Sequence, residues 1–282
     1  MPLTIWDFYP AAFNCPHSMT RLGRPGSGGK WLCGIEKLAL LPHEQDTIDA
    51  EDPSSLEVGR VSALASGSRW KTAGTQPGCI VYSFGGGFDN KNGRSSSSFE
   101  EALLDRTPHC TLWGYDSLAS HFASPGLHEH EAQGRAHFTQ AAVSGRTNAK
   151  QYPPQLTIQD VMAINGHDHI DVVKIDVEGF EFETIEALLS HFRGSEEQQK
   201  DGVGKQREVP IAQLVMQVHL IPDQMTVEKF MKWWEKIEDA GFRPVGFEPD
   251  LLTATIPVYD GMPRYVDYTF INIRDKRNPL LK

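Results

Sequence analysis

The sequence predicts an α/β protein built on a doubly wound, mainly parallel sheet, and three observations carry that expectation. From Cys79 onward, short β-branched runs alternate with segments of helical periodicity. Two of the runs, Thr111–Asp116 and Asp171–Asp176, end in an acid, at the point where open α/β sheets bind their ligands. The last two runs, Phe242–Glu248 and Tyr265–Ile273, follow one another without a helical segment between them. That arrangement places an antiparallel strand near one edge.

Taken in order, residues 1–42 read as an N-terminal arm that ends in Gly28-Gly-Lys-Trp-Leu-Cys-Gly34. Residues 43–77 read as a polar surface excursion, so 1–77 form an arm and insertion ahead of the main domain at 78–282. Cys79–Phe84 is the first strand and Gly85-Gly-Gly87 its turn. An Asn/Gly/Ser loop then leads to a helix face made by Phe99, Ala102, Leu103 and Leu104. Ser97 or Ser98 is in place to cap that helix, with Glu100 and Glu101 in its first turn. Thr111–Asp116 is the second strand and His137–Val143 the third. Thr157 caps the next helix, with Asp160 at its third position. The strand at 171–176 runs into a helix at 180–192, where Phe182, Ile185, Leu188 and Leu189 recur at helical spacing. Residues 193–208 form a charged insertion, and Ile211–Leu220 is the fifth strand, finishing at His219. Met225–Ala240 is an amphipathic helix stopped by Gly241, with one of Trp233 and Trp234 expected in the core and the other at its rim.

Composition narrows the function classes. A chain of 282 residues has room for a sizeable core, and a formal charge of −10 argues against nonspecific binding to a nucleic-acid backbone. No apolar run approaches the ~20 residues of a membrane span. The chain reads as cytoplasmic, with the secretory-pathway lumen as the alternative if a leader was removed. None of the four cysteines forms a CxxC pair. Cys79 and Cys110 each open a strand and read as small buried hydrophobes. Cys15 and Cys33 flank a loop and would pair in an oxidising compartment; with no other sign of secretion, free thiols are the expectation.

The chemistry concentrates at strand ends. Asp171-Val-Val-Lys-Ile-Asp-Val-Glu-Gly-Phe-Glu181 delivers Asp176 and Glu178 to one tip, where two carboxylates require a cationic partner. Ser83-Phe-Gly-Gly-Gly87 lets a ligand approach the backbone, and Asp116 is placed to grip a ribose hydroxyl pair, or in the plainer reading to cap a turn. Gly85 and Asp116 are 31 residues apart, longer than the ~20 of the dinucleotide fingerprint. A nucleoside without phosphates fits that spacing better, and S-adenosylmethionine is one. Its ribose would meet Asp116, its adenine Ala141, Ala142 and Val143, its methionine portion the Gly85–Gly87 turn, and its sulfonium Asp176, with Ser83, Phe84, Gly85 and Gly86 counted among the cofactor-binding residues.

Val172-Val-Lys-Ile-Asp-Val-Glu-Gly-Phe-Glu181 resembles the K-I-D-x-E-G-x-E signature of FkbM-type methyltransferases. Gly28-Gly-Lys-Trp-Leu-Cys33, Val81-Tyr-Ser-Phe-Gly85, Phe99-Glu100 and Leu112-Trp-Gly-Tyr-Asp116 resemble the related methyltransferase-like protein 24 group. The resemblance implies a class I methyltransferase-like (Rossmann-like) fold with seven strands, S-adenosylmethionine as cofactor, and an arm carrying Lys30 that folds over it. Arg21 and Arg24 lie close to that arm and are candidates for neutralising the methionine carboxylate.

For Asp176, Glu178 and His219 three readings stay open: a general base at Glu178 or His219, a divalent-metal site made by all three, or a histidine paired to a carboxylate for structure. His128-Glu-His130 and His167-Asp-His169 read as solvated surface. The leading expectation is methyl transfer to oxygen or nitrogen of a small molecule or peptide side chain. The alternatives are a metal-dependent enzyme and a noncatalytic nucleoside-binding module.

Overall fold

The computed structural model describes residues 3–25, 28–41, 78–85, 97–193, 208–220, 225–255 and 263–282. The polar excursion at 43–77, most of the insertion at 193–208, the Asn/Gly/Ser loop, Gly86 and Gly87 lie outside the described residues.

After a 3-10 turn at Leu3–Phe8, the arm forms an antiparallel hairpin, β1 (Met19–Leu22) and β2 (Lys30–Cys33), followed by a short helix α1 (Ile35–Ala39). The main sheet uses β3 (Ile80–Gly85), β4 (Thr111–Asp116), β5 (Ala136–Gln140), β8 (Ile170–Asp176), β9 (Ile211–His219), β10 (Phe242–Pro249) and β11 (Tyr265–Asn272). A small parallel pair, β6 (Ala142–Val143) and β7 (Gln155–Leu156), sits apart. The helices between strands are α2 (Ser98–Leu104), α3 (Gly126–Ala132), α4 (Ile158–Asn165), α5 (Glu181–Arg193) and α6 (Val227–Asp239), with a short α7 (Leu251–Ala254) between the last two strands.

Strand order is β10-β11-β9-β8-β3-β4-β5. Pairs among β5, β4, β3, β8 and β9 are parallel, and β11 runs antiparallel to both of its neighbours. From β3 the chain first builds outward through β4 and β5, then returns to add β8 and β9 on the other side. The reversal falls between β3 and β8, so the crevice expected to take a ligand lies outside their carboxyl ends.

Both faces of the sheet are covered. One carries α4, α5 and α6, with Ile158, Ile185, Leu188, Phe230, Trp233 and Trp234 among its buried residues. The other carries the β1–β2 hairpin, α1, α2 and α3 through Leu22, Leu32, Leu38, Phe99 and Leu127. Both tryptophans of α6 are core residues, which corrects the expectation of a rim position for one. Trp234 stacks on Phe230 and meets Tyr9 beyond the N-terminal 3-10 turn, and Trp233 donates its indole N–H to the Phe182 carbonyl at 3.2 Å. The start signal of α4 is as expected: Thr157 and Asp160 form a reciprocal capping box.

Cys79 and Cys110 are buried as expected, but the expectation of free thiols is overturned. Cys15 pairs with Cys33 and Cys79 with Cys110, leaving no free thiol. Cys79 and Cys110 immediately precede β3 and β4, which are neighbours with Ile80 opposite Thr111, so the two sulfurs start the same rung of the sheet. Strand adjacency brings them together, a relation that their separation in sequence conceals. The expectation of solvated histidine pairs holds for His128 alone: His130 and His169 are buried, each against an aspartate, at 3.0 Å from Asp105 and 2.7 Å from Asp275, and half-buried His167 meets the Tyr82 hydroxyl at 2.6 Å.

Candidate functional site

β8 brings Asp176 to the crevice because every residue before it in the strand is buried and only its tip emerges. Its register partner on β3 is Gly85, at φ +67°, and a Cβ there would stand 2.1 Å from the Asp176 carbonyl oxygen. Only glycine lets the two strand ends meet this closely. The turn after Asp176 places Glu178 at φ +50° and Gly179 at φ +105°. Glu178 is exposed, and its carboxylate makes no hydrogen bond or ion pair among the described residues.

Asp176 is not waiting for a cation. Lys30 of β2 is 1% exposed and sits between two carboxylates, 3.3 Å from Asp176 Oδ2 and 2.7 Å from Asp267 Oδ1. Gln217 donates to the same Asp267 oxygen at 3.1 Å. The premise that the acidic tip needs a positively charged ligand is therefore corrected: the partner is a lysine of the same chain. Burial pushes the Asp176 carboxyl up, but Lys30, Lys174 and His219 outweigh it and hold the group at about 2. Asp267 is moved upward, because burial and the Asp176 charge outweigh its share of Lys30. Burial opposes the charge on Lys30 too, yet the two aspartates raise its proton affinity.

His219 closes the cluster from the end of β9. Its Nε2 is 3.8 Å from Asp176 Oδ1, and its Nδ1 is 3.4 Å from Glu181 Oε1 without forming a well-aligned hydrogen bond. Burial lowers the imidazole, and Glu181 together with Asp176 overcomes that and raises it. Glu181, fully buried at the start of α5, accepts the His219 backbone N–H at 2.6 Å and the Gly179 N–H at 2.8 Å. It fastens the acidic turn to the tip of β9. The three-residue metal site is not formed: Glu178 stands in solvent while Asp176 and His219 are engaged by Lys30 and Glu181. Among the described residues no group of three or more His, Cys, Asp or Glu side chains is arranged to hold a metal.

On the other side of Gly85, Asp116 ends β4. Its Oδ1 accepts the N–H groups of Leu118 and Ala119 at 2.7 and 3.0 Å, the turn-capping role. Its Oδ2 makes no hydrogen bond among the described residues. Gln140 is its register partner on β5, so Ala141, Ala142 and Val143 follow directly beside it, with Ala141 and Val143 buried and Ala142 half-buried. Ser83 and Phe84 turn their side chains into the protein, the serine to Glu100 and the phenylalanine stacked on Tyr115. Only their backbone remains at the strand. Arg21 pairs with Glu248 at 3.2 Å, which commits it to β10.

The model of the "Methyltransferase FkbM domain" matches residues 97–244, just over half of the chain. The chain belongs to the FkbM methyltransferase domain family. The matched span runs from α2 into β10 and contains Asp116, Asp176, Glu178, Glu181 and His219, whereas Lys30 and Asp267 lie on either side of it. Among solved structures, the chain is similar to an O-methyltransferase family protein from Burkholderia thailandensis (15% identity over 69% of this chain and 51% of that one, TM-score 0.35). It is also similar to a putative SAM-dependent methyltransferase from Streptococcus mutans (14%, 68% and 44%, 0.38). A third is M. jannaschii TYW2 in complex with AdoMet (11%, 91% and 88%, 0.31). The chain spans about half the length of the first two. No functionally curated protein matches it.

Two residues of this charged cluster, Glu181 inside the matched span and Asp267 outside it, carry no role in the expectations above. Glu181 is the last acid of the K-I-D-x-E-G-x-E signature, so its position was marked. Asp267 interrupts an apolar strand, and alternation alone makes such a residue look solvent-facing.

Proposed function

We propose that the protein is an S-adenosylmethionine-dependent methyltransferase that acts on oxygen or nitrogen of a small molecule or peptide side chain. Family membership supports the reaction class. The observation that carries the cofactor assignment is Asp116, whose Oδ1 is fixed by two backbone N–H groups while Oδ2 is unclaimed among the described residues, beside the apolar Ala141–Val143 segment. That free acceptor beside an apolar wall suits a ribose hydroxyl pair with an adenine next to it.

When bound, the cofactor supplies a methyl group on a cationic sulfur. The chain's own residues then have separate tasks. Asp116 accepts the ribose hydroxyls, Ala141, Ala142 and Val143 present an apolar wall, and the Gly85 tip admits the ligand against backbone. Asp176 shares the Lys30 ammonium with Asp267, so its charge is offset in part from within the chain. Glu178 is the group that takes the acceptor's proton, because it is exposed, unpaired among the described residues and two residues past the Asp176 tip. His219 is a poor base by comparison: its neighbours favour the protonated ring.

Calorimetric titration with S-adenosylhomocysteine tests this reading on wild type and Asp116→Asn. The asparagine keeps the Oδ1 acceptor for the turn and removes the charge. Binding by the wild type, weakened at least tenfold in the variant, is expected; a wild type that does not bind discards the cofactor.

A further inference from the structure

The Lys-Ile-Asp run on β8 and the Phe99-Glu100 pair on α2 are far apart in sequence, and the fold joins them. Lys174 Nζ donates to Glu100 Oε1 at 2.9 Å, and the Ser83 hydroxyl donates to the same oxygen at 2.6 Å. Lys174 Nζ also donates to the Gly85 carbonyl at 3.1 Å. All three side chains are sealed from solvent: Lys174 is 2% exposed, Ser83 and Glu100 0%. The second carboxylate oxygen of Glu100 is buried without a hydrogen bond among the described residues.

Packing does not account for this cluster. Removing a lysine and a glutamate from water is costly, and two apolar side chains of similar volume would fill the space as well or better. The orphaned oxygen adds to the penalty. What an apolar pair would lack is the donor to Gly85. That glycine is the β3 tip: it stands opposite Asp176, takes a left-handed φ, and has no room for a Cβ. A peptide unit is planar, so a hydrogen bond to the Gly85 carbonyl fixes the plane in which the chain leaves the strand.

We propose that Lys174 and Glu100 are positioning residues for ligand binding at this tip. Glu100, oriented by Ser83, holds the Lys174 ammonium, and the ammonium holds the Gly85 peptide in its binding geometry. This rests on the cofactor reading above. Glu100 and Lys174 act through Gly85 and need touch no ligand themselves.

The test pairs calorimetric affinity for S-adenosylhomocysteine with thermal melting. Variants are Lys174→Met with Glu100→Gln, the near-isosteric Glu100→Gln alone, and Leu188→Ala in α5 as a core control on the opposite face of the sheet from α2. The double variant is expected to bind at least tenfold more weakly and Glu100→Gln at least threefold, while Leu188→Ala melts lower and binds within twofold of wild type. Should the double variant fail to fold, Glu100→Gln decides. Variants that melt lower but bind within twofold of wild type overturn the positioning role and leave the cofactor reading standing. A wild type that does not bind overturns both.

Discussion

Lys30 Nζ lies 3.3 Å from Asp176 Oδ2, and this contact ties the N-terminal hairpin to the strand tip that the sequence marks as the site of chemistry. The same ammonium serves Asp267 on β11, so one cation holds three pieces of chain together. Removing it strands two buried carboxylates. Lys30→Met is expected to destabilise the fold by about 3–5 kcal/mol at neutral pH. Asp176 sits at about 2, below its ordinary 3.8, so in the wild type its contribution is present above that ordinary value and lost as pH falls toward 2. In Lys30→Met the unpaired carboxylates favour protons, and the deficit narrows as pH drops toward about 5. Urea unfolding of both proteins at the two pH values reads this; a deficit independent of pH contradicts it.

Glu178 holds a left-handed φ that an ordinary side chain adopts at a penalty of about 1 kcal/mol. Glu178→Gly is expected to raise stability by roughly that amount, through relief of strain at this turn. Glu178→Gln leaves the backbone and the Lys30–Asp176–Asp267 cluster intact, and is expected to lower kcat by about 10²–10⁴ with affinity for S-adenosylhomocysteine unchanged. Single-turnover kinetics and melting curves separate the two effects. Full turnover in Glu178→Gln assigns the proton to another group.

His219 owes its raised proton affinity to Glu181, which overcomes the burial that alone would lower it. Below its unfolded value near 6.5 the protonated ring stabilises the fold, and that contribution is lost as pH rises through the higher folded value. Glu181→Gln removes the charge and lets burial dominate, so an NMR titration of the imidazole is expected to move from above 6.5 in the wild type to below it. No movement would mean that Asp176 alone sets the ring.

Two disulfides close loops with sequence separations of 18 and 31 residues. Chain-entropy arguments put each at about 3 kcal/mol. Alkylation of the native protein without reductant is expected to label no cysteine. Cys15→Ser with Cys33→Ser is expected to lower the melting temperature and to loosen the hairpin that carries Lys30. Labelling of the native wild type would contradict the pairing.

Local signals were readable from the sequence, and long-range partners were not. Thr111–Asp116 was expected as a strand with those bounds, and the Thr157–Asp160 cap marks its helix as anticipated, because both depend on neighbouring residues. The seven-stranded sheet with its antiparallel β11 also follows from the order of runs. Lys30 was singled out as a residue over the ligand, but its lodging between Asp176 and Asp267 depends on where β11 inserts, which no local pattern states. Cys79 and Cys110 looked like small hydrophobes for the same reason: only the parallel pairing of β3 and β4 reveals them as partners. Glu100 and Lys174 were visible as motif letters, and their ion pair required the helix to be laid on the sheet.

The central claim is that the tips of β3, β4 and β8 form a nucleoside site. A crystal structure of the protein grown with S-adenosylhomocysteine tests it most directly. The expected result is a ribose hydroxyl within about 3 Å of Asp116 Oδ2 and the adenine against Ala141–Val143. A ligand bound away from Asp116, or none at saturating concentration, contradicts it.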